Sequence, residues 1–163
     1  MASARSLRKY AKESLIPFMK SEAFEVIKGL SFVKNAPDNM VYFIDCFASR
    51  WGNVRFDVGV YVNELDEGKN EDCCWPKAMA SLVGGELTKD EPMLKYQGET
   101  WNFEKDPEQL MVVVESSIKQ FALPLFKSIT NRKEMVEAID NDWYKWQRDE
   151  ELLNTILENS LNK

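Results

Sequence analysis

The stretches MVYFIDCFAS, residues 40–49, and VRFDVGVYVN, residues 54–63, decide the fold of this sequence. Apolar and polar residues alternate along the second stretch, which is the period-two pattern of a strand with one buried face. The first stretch is apolar on both faces, which indicates a central strand. Because so few residues separate the two stretches, we predict an antiparallel hairpin that turns at residues 50–52. One face of the second strand then carries Val54, Phe56, Val58, Val60 and Val62.

The length of this connection decides which side chains share a face. An even connection would put Asp45 on the face of the Val and Phe side chains, where a carboxylate without a partner is costly to bury. An odd connection sets Phe43 opposite Gly59, where the ring covers a bare backbone, and sets Asp45 opposite Asp57. We predict the odd register, since a slip of one residue would exchange the two faces of the strand.

Helical patterns flank the strands on both sides, and together they predict an α+β fold. We expect a small antiparallel sheet of about three to five strands, with an N-terminal helix and C-terminal helices packed on one face. The predicted flanking elements are a helix over about 3–19 with Pro17 near its end, a strand near 30–34, a turn at 35–39, a short helix from Pro76 to Gly84, a strand over about 95–103, and helices that begin at Asp106, Thr130 and Asp149.

The chain is predicted to form a single domain over residues 1–163, because no internal repeat and no Pro-, Gly- or Ser-rich linker divides it. Its last segment, about 149–162, has leucine and isoleucine at helical spacing. This segment is either an appended helix or an element that pairs with a second copy to form a homodimer.

Composition points to a soluble, acidic protein of the cytoplasm. The net charge is −6, from 27 acidic and 21 basic residues, which argues against a nucleic-acid partner. No run of about 18 apolar residues would span a membrane. The three cysteines, Cys46, Cys73 and Cys74, do not form a disulfide framework, which favours reduced thiols and a cytoplasmic location.

The sequence contains no histidine, which removes the commonest general base and the imidazole metal ligands. A Ser-His-Asp or Cys-His mechanism is therefore impossible within the chain. Three thiols without histidine also make a poor zinc site. We expect no catalytic residue, no metal and no cofactor, and these absences favour a non-enzymatic protein over an enzyme.

Three short motifs resemble a bacterial family catalogued as a domain of unknown function, number forty-three-oh-four. The motifs are Leu15-Ile16-Pro17-Phe18-Met19-Lys20 followed by Phe24, then Ser49-Arg50-Trp51, then Phe56-Asp57-Val58-Gly59-Val60-Tyr61. The similarity spans roughly residues 7–140, and Ala23 stands where the family has glycine. The resemblance implies a bacterial protein with a small sheet packed by helices, and it implies no activity and no site residues.

The second face of the hairpin is the candidate site. Like charges directly opposite each other destabilise a sheet, so Asp45 and Asp57 need an offset. Arg50, Arg55, a bound cation or a shared proton that raises one pKa would each supply it. We hypothesise a shallow polar cleft for a small cationic ligand, a metal or a partner's Arg or Lys, and the alternative is a solvated face with an internal salt bridge. The candidate ligand-binding residues are Asp45, Arg50, Trp51, Arg55, Asp57, Tyr61 and Trp101.

Three functions are compatible with these observations. The first is a non-enzymatic binding or interaction protein of the immunity or accessory type, with a protein partner. The second is a small-molecule-binding protein with an aromatic and carboxylate cleft. The third is a carboxylate-dependent enzyme that uses Asp45 and Asp57. A deep pocket would favour the second or third function, and a flat acidic surface with exposed aromatic residues would favour the first.

Overall fold

The computed structural model describes residues 4–27, 29–48, 53–62, 81–87, 101–102, 106–139, 154–155, 158–159 and 162. Within these ranges the chain forms an N-terminal helix, then a sheet, then further helices. Residues 63–80, which include Cys73 and Cys74, lie outside the described residues, as do Arg50, Trp51 and most of the predicted last helix. The predicted α+β class is confirmed.

All the strands within the described ranges belong to one antiparallel sheet. The strands are β1 (Glu25–Val26), β2 (Ser31–Ala36), β3 (Met40–Ala48), β4 (Asn53–Val62), β5 (Ser81–Glu86) and β6 (Trp101–Asn102). The spatial order is β1-β2-β3-β4-β5, and β6 pairs with the beginning of β4 on the same side as β5. Two strands of two residues each bring the described total to six, slightly above the predicted range.

The predicted hairpin register is confirmed. Phe43 lies opposite Gly59 and Asp45 lies opposite Asp57 along the β3–β4 pair. Because side chains alternate across a strand, these odd-numbered residues point to one face and Val58 points to the other. The hairpin therefore separates the aspartates from the valine row, as the sequence predicts.

The predicted N-terminal helix runs from Ala4 to Ser21 in three parts. They are α1 (Ala4–Tyr10), a π-helical segment (Ala11–Leu15) and α2 (Ile16–Ser21). The helices after the sheet are α3 (Pro107–Ser117), a second π-helical segment (Ile118–Ala122), α4 (Leu123–Ser128) and α5 (Arg132–Ile139).

Two helix starts show how the sequence sets the boundaries. The Asp106 carboxylate accepts a hydrogen bond from the Gln109 amide at 2.9 Å, which is the predicted cap of α3. At α5 the cap is Asn131, not the predicted Thr130, because the Asn131 Oδ1 atom accepts from the Glu134 amide at 2.9 Å. Thr130 instead donates its amide and its hydroxyl to the Glu134 carboxylate, which fixes the residue before the cap.

Helices α2 and α4 share a short repeat, both in sequence and in how they begin. Each follows a five-residue π-helical segment, with the Ile16 amide donating to the Ala11 carbonyl and the Leu123 amide donating to the Ile118 carbonyl. Each has proline at its second position, and a wide π turn before proline accommodates a residue that has no N–H to donate. The sequences are IPFMKS and LPLFKS. This repeat was not predicted, because only Pro, Lys and Ser are identical.

The helices cover one face of the sheet. Side chains of β2, β3 and β4, including Phe32, Ile44 and Val58, pack with helix residues such as Leu15 and Val114 in one buried cluster. Burial of each such side chain contributes about 1.5–3 kcal/mol. The opposite face is also buried at its centre, where Val41, Phe43 and Tyr61 form a second cluster.

The predicted short helix that ends at Gly84 is wrong. Residues Ser81–Glu86 form β5, in which Gly84 lies opposite Gly59 of β4. The two glycines looked like a helix stop, but pairing with the neighbouring strand decides their conformation. The predicted strand near 95–103 is described only at β6, Trp101–Asn102.

Candidate functional site

Three carboxyl side chains lie side by side across the sheet, on the face opposite the helical core. Asp45 of β3 pairs with Asp57 of β4, and Asp57 pairs with Glu86 of β5. Their exposed fractions are 1%, 0% and 1%. Ser31 of β2 extends this line because it pairs with Asp45. We call Asp45, Asp57 and Glu86 the carboxylate row.

Arg55 supplies positive charge to this row. Its Nη2 atom donates a hydrogen bond to Asp57 Oδ2 at 3.0 Å, and its Nε atom lies 2.9 Å from Asp57 Oδ1. The Nε contact is an ion pair without hydrogen-bond alignment. The guanidinium also lies over the Phe47 ring, 5.0 Å from its centre, so the charge is held in place on the same face.

The electrostatics of the row favour a protonated carboxyl. Burial raises the pKa of Asp57 from 3.8 to about 7, the charge and hydrogen bond of Arg55 oppose this shift, and the charges of Glu86 and Asp45 add to it. Burial outweighs the arginine. Asp57 therefore gains or loses a proton close to neutral pH.

Cys46 borders the row from the other face of β3. Burial, followed by the negative charges of Asp45 and Asp57, raises the pKa of its thiol. A thiol in this environment stays protonated and is a poor nucleophile. Among the described residues, no group of three or more Cys, Asp or Glu side chains is arranged to hold a metal ion.

The structure brings only part of the predicted site together. Asp45, Asp57 and Arg55 share one face, and the internal salt bridge of the alternative hypothesis is present. Both aspartates are buried and Tyr61 is 4% exposed in the second apolar cluster, so these three side chains are not open to solvent, and the cleft stays a prediction.

Trp101 does not lie beside the aspartates. It pairs with Val54, whose side chain faces the helical core, and its ring centre lies 6.0 Å from that of Phe56. Arg50 and Trp51 belong to the residues that the structure does not describe. Glu86 was missed because Gly84-Gly85 looked like a helix stop, although Val83, Gly85 and Leu87 alternate with it as in a strand.

A pocket of about 280 Å³ lies on the helical face, where the ends of α2 and α4 meet β2 and β3. Its apolar walls are Phe24, Tyr42, Leu123 and Phe126. The rings of Tyr42 and Phe126 stack with centres 4.7 Å apart, and the Phe24 ring centre lies 5.8 Å from that of Phe126. We call this site the aromatic pocket.

Tyr42 fixes one wall of the aromatic pocket. Its buried hydroxyl donates to the Ile129 carbonyl at 2.6 Å, which ties β3 to the chain between α4 and α5. Burial, with a smaller contribution from the Glu134 carboxylate, raises the pKa of the Tyr42 phenol. The hydroxyl therefore stays a donor at neutral pH.

Polar side chains line the rest of the aromatic pocket: Glu22, Lys34, Lys127 and Thr130. The Lys34 ammonium donates to the Glu22 main-chain carbonyl at 3.0 Å and lies 5.6 Å from the centre of the Phe24 ring. Lys127 and Thr130 are exposed at the opening. The aromatic pocket was not predicted, because four separated chain segments form it and none carries a motif by itself.

Comparisons of the chain with known protein families, with curated proteins and with solved structures found no match. The resemblance to a bacterial family of unknown function therefore stays a prediction. In the part of the chain that the structure describes, no helix is long and apolar enough to cross a bilayer.

Proposed function

We propose that this protein binds a small molecule in the aromatic pocket. The observation that carries the proposal is the group of three rings, Phe24, Tyr42 and Phe126, that line one pocket. Binding sites for small molecules are concave and mostly apolar, with a few polar groups that set orientation. The aromatic pocket has this composition, since Lys34, Lys127 and other polar side chains lie around its apolar walls.

The volume limits the ligand to a small one. At about 280 Å³, the aromatic pocket lies near the lower end of the range of small-ligand sites, roughly 300–1,000 Å³. A single six-membered ring with a short substituent suits this space and would contact the small exposed parts of Phe24 and Phe126, which are 3% and 4% exposed.

The other predicted functions receive less support from the described residues. An interaction protein would present exposed apolar residues, and in the described ranges Val112, at 56%, is the large apolar side chain that is exposed. A carboxylate-dependent enzyme needs its acids within reach of a substrate, whereas Asp45 and Asp57 are buried. A protein partner and a homodimer through the last helix stay predictions.

Neutral one-ring compounds test the proposal. Saturation-transfer NMR with phenylacetamide and benzyl alcohol should detect binding to the wild-type protein. Thr130→Phe should fill the opening and abolish this binding, because Thr130 lines the aromatic pocket and is exposed. Thr130→Ala is the matched control, since it removes the same hydroxyl bond to Glu134 without filling the space. Equal binding by the Phe and Ala variants, or none by the wild type, contradicts the proposal.

A further inference from the structure

We infer that the ligand of the aromatic pocket is a monoanion, namely a small apolar ring that carries one carboxylate, and that Lys34 and Lys127 recognise this carboxylate. The inference rests on the proposed function and names the chemistry of its ligand. Two lysines and one glutamate line the aromatic pocket, so the formal charge of its lining is +1. The Glu134 carboxylate, which accepts from Thr130, lies at the edge of the pocket and reduces the effect of this charge there. The half-buried Lys34 ammonium, beside the Phe24 ring, is the positive group at the pocket wall.

Lys34 is positioned to receive an anion next to the rings. The Glu22 carbonyl accepts one of the three N–H donors of its ammonium, at 3.0 Å. This bond and the Phe24 ring fix the ammonium at the wall of the pocket. Lys34 is half-buried, and attraction between charges is stronger where water is partly excluded. A carboxylate on a ring that contacts the pocket wall at Phe24 or Phe126 would lie close to this ammonium.

Lys127 contributes a second, more exposed charge. It lies in the last turn of α4 and is exposed at the opening. Both lysines attract an anion to this opening from a distance. The affinity of the bound anion depends more on the half-buried Lys34. Glu22 carries the opposing charge, so a second acidic group on the ligand would meet repulsion. A single carboxylate therefore suits the site better than a dianion.

The repeat supplies a matched control for Lys127. Lys20 occupies the same position in α2 that Lys127 occupies in α4, and both side chains are exposed in the last turn of their helices. The residues that line the aromatic pocket include Lys127 and do not include Lys20. Lys20→Met and Lys127→Met thus remove the same charge from equivalent helix positions, and only the second removes it from the pocket.

The test compares phenylacetate with its neutral analogue phenylacetamide and with benzylamine, by NMR titration at low and at high salt. The wild type should bind phenylacetate about 10-fold more tightly than phenylacetamide at low salt, and benzylamine most weakly. Lys34→Met should weaken the binding of phenylacetate about 10-fold and Lys127→Met about 3-fold, and each should weaken the binding of phenylacetamide by a smaller factor. Lys20→Met should change the affinity for neither ligand.

The outcomes separate this inference from the proposed function. The anion inference is wrong if phenylacetamide binds as tightly as phenylacetate. It is also wrong if Lys20→Met weakens the binding of phenylacetate as much as Lys127→Met does. In both cases the aromatic pocket remains a binding site. If no compound of the set binds, both are overturned. Detectable phenylacetamide binding in the lysine variants shows that each variant still folds and keeps its pocket.

Discussion

Asp45 lies directly opposite Asp57 on adjacent antiparallel strands, and both carboxyl groups are buried. Glu86 continues the row on the next strand, and Arg55 pairs with Asp57. Two buried like charges at neighbouring positions are destabilising unless a proton or a positive charge offsets them. The carboxylate row therefore makes the stability of the sheet sensitive to pH.

Asp57→Asn should flatten this pH dependence. The folded-state pKa of Asp57, about 7, is above its ordinary value of 3.8, so the folded protein holds this proton more tightly than the unfolded chain. The stabilisation is complete below about pH 4 and is lost as the pH rises to about 7, with a fall of roughly 2–4 kcal/mol. Urea denaturation across this range should show the fall in the wild type and a smaller one in Asp57→Asn.

Asp106→Asn is the control for that measurement. Asp106 is exposed, and asparagine caps a helix as well as aspartate does. This variant should keep the wild-type fall in unfolding free energy. If Asp57→Asn shows the same fall as Asp106→Asn, the proton is not bound at Asp57.

Substitutions that remove the negative or the positive charges around Asp57 should shift its pKa in opposite directions. Asp45→Asn and Glu86→Gln each remove a negative charge that raises this pKa, so both should lower it. Arg55→Met removes the charge and the hydrogen bond that lower it, so the pKa should rise. Titration of the carboxyl ¹³C signal of Asp57 measures these shifts, and a common direction for all three variants would contradict the arrangement of the row.

Tyr42→Phe should lower the free energy of unfolding by about 1–2 kcal/mol, because it leaves the buried Ile129 carbonyl without this donor. The ring itself remains, so the stack on Phe126 and the affinity for phenylacetamide should be kept. Denaturation and NMR titration of the same variant test both points. A loss of affinity without a loss of stability would show that the hydroxyl binds the ligand instead.

Asp106→Ala should cost about 1 kcal/mol of stability, since the Gln109 amide at the start of α3 loses its acceptor. Asp106→Asn should cost little. Thermal or urea denaturation of the pair isolates the contribution of the cap, and equal stability of the two variants would show that the carboxylate does not cap α3.

The sequence was most informative where a local pattern and a pairing rule agreed. Alternation in β4 identified its two faces, and the cost of placing Asp45 among valines selected the register that the structure shows. The Asp106 cap followed from local chemistry alone.

Long-range packing explains what the sequence did not predict. Alternation assigns polar residues to the solvent side, yet Asp57 is as buried as Val58. The face of Trp101 depends on its pairing with Val54, which no local pattern reveals. Glu86 joins the row only because two glycines extend into a strand, and the aromatic pocket exists only because α2 and α4 end beside β2 and β3.

Intermolecular NOEs test most directly whether a ligand occupies the aromatic pocket. With phenylacetate bound to methyl-labelled protein, the ring protons should show NOEs to the methyl groups of Leu123 and Thr130, which line it. The exposed methyl groups of Val112 should show none. Ring NOEs to Val112 without any to Leu123 or Thr130 would place the ligand elsewhere and contradict binding in the aromatic pocket.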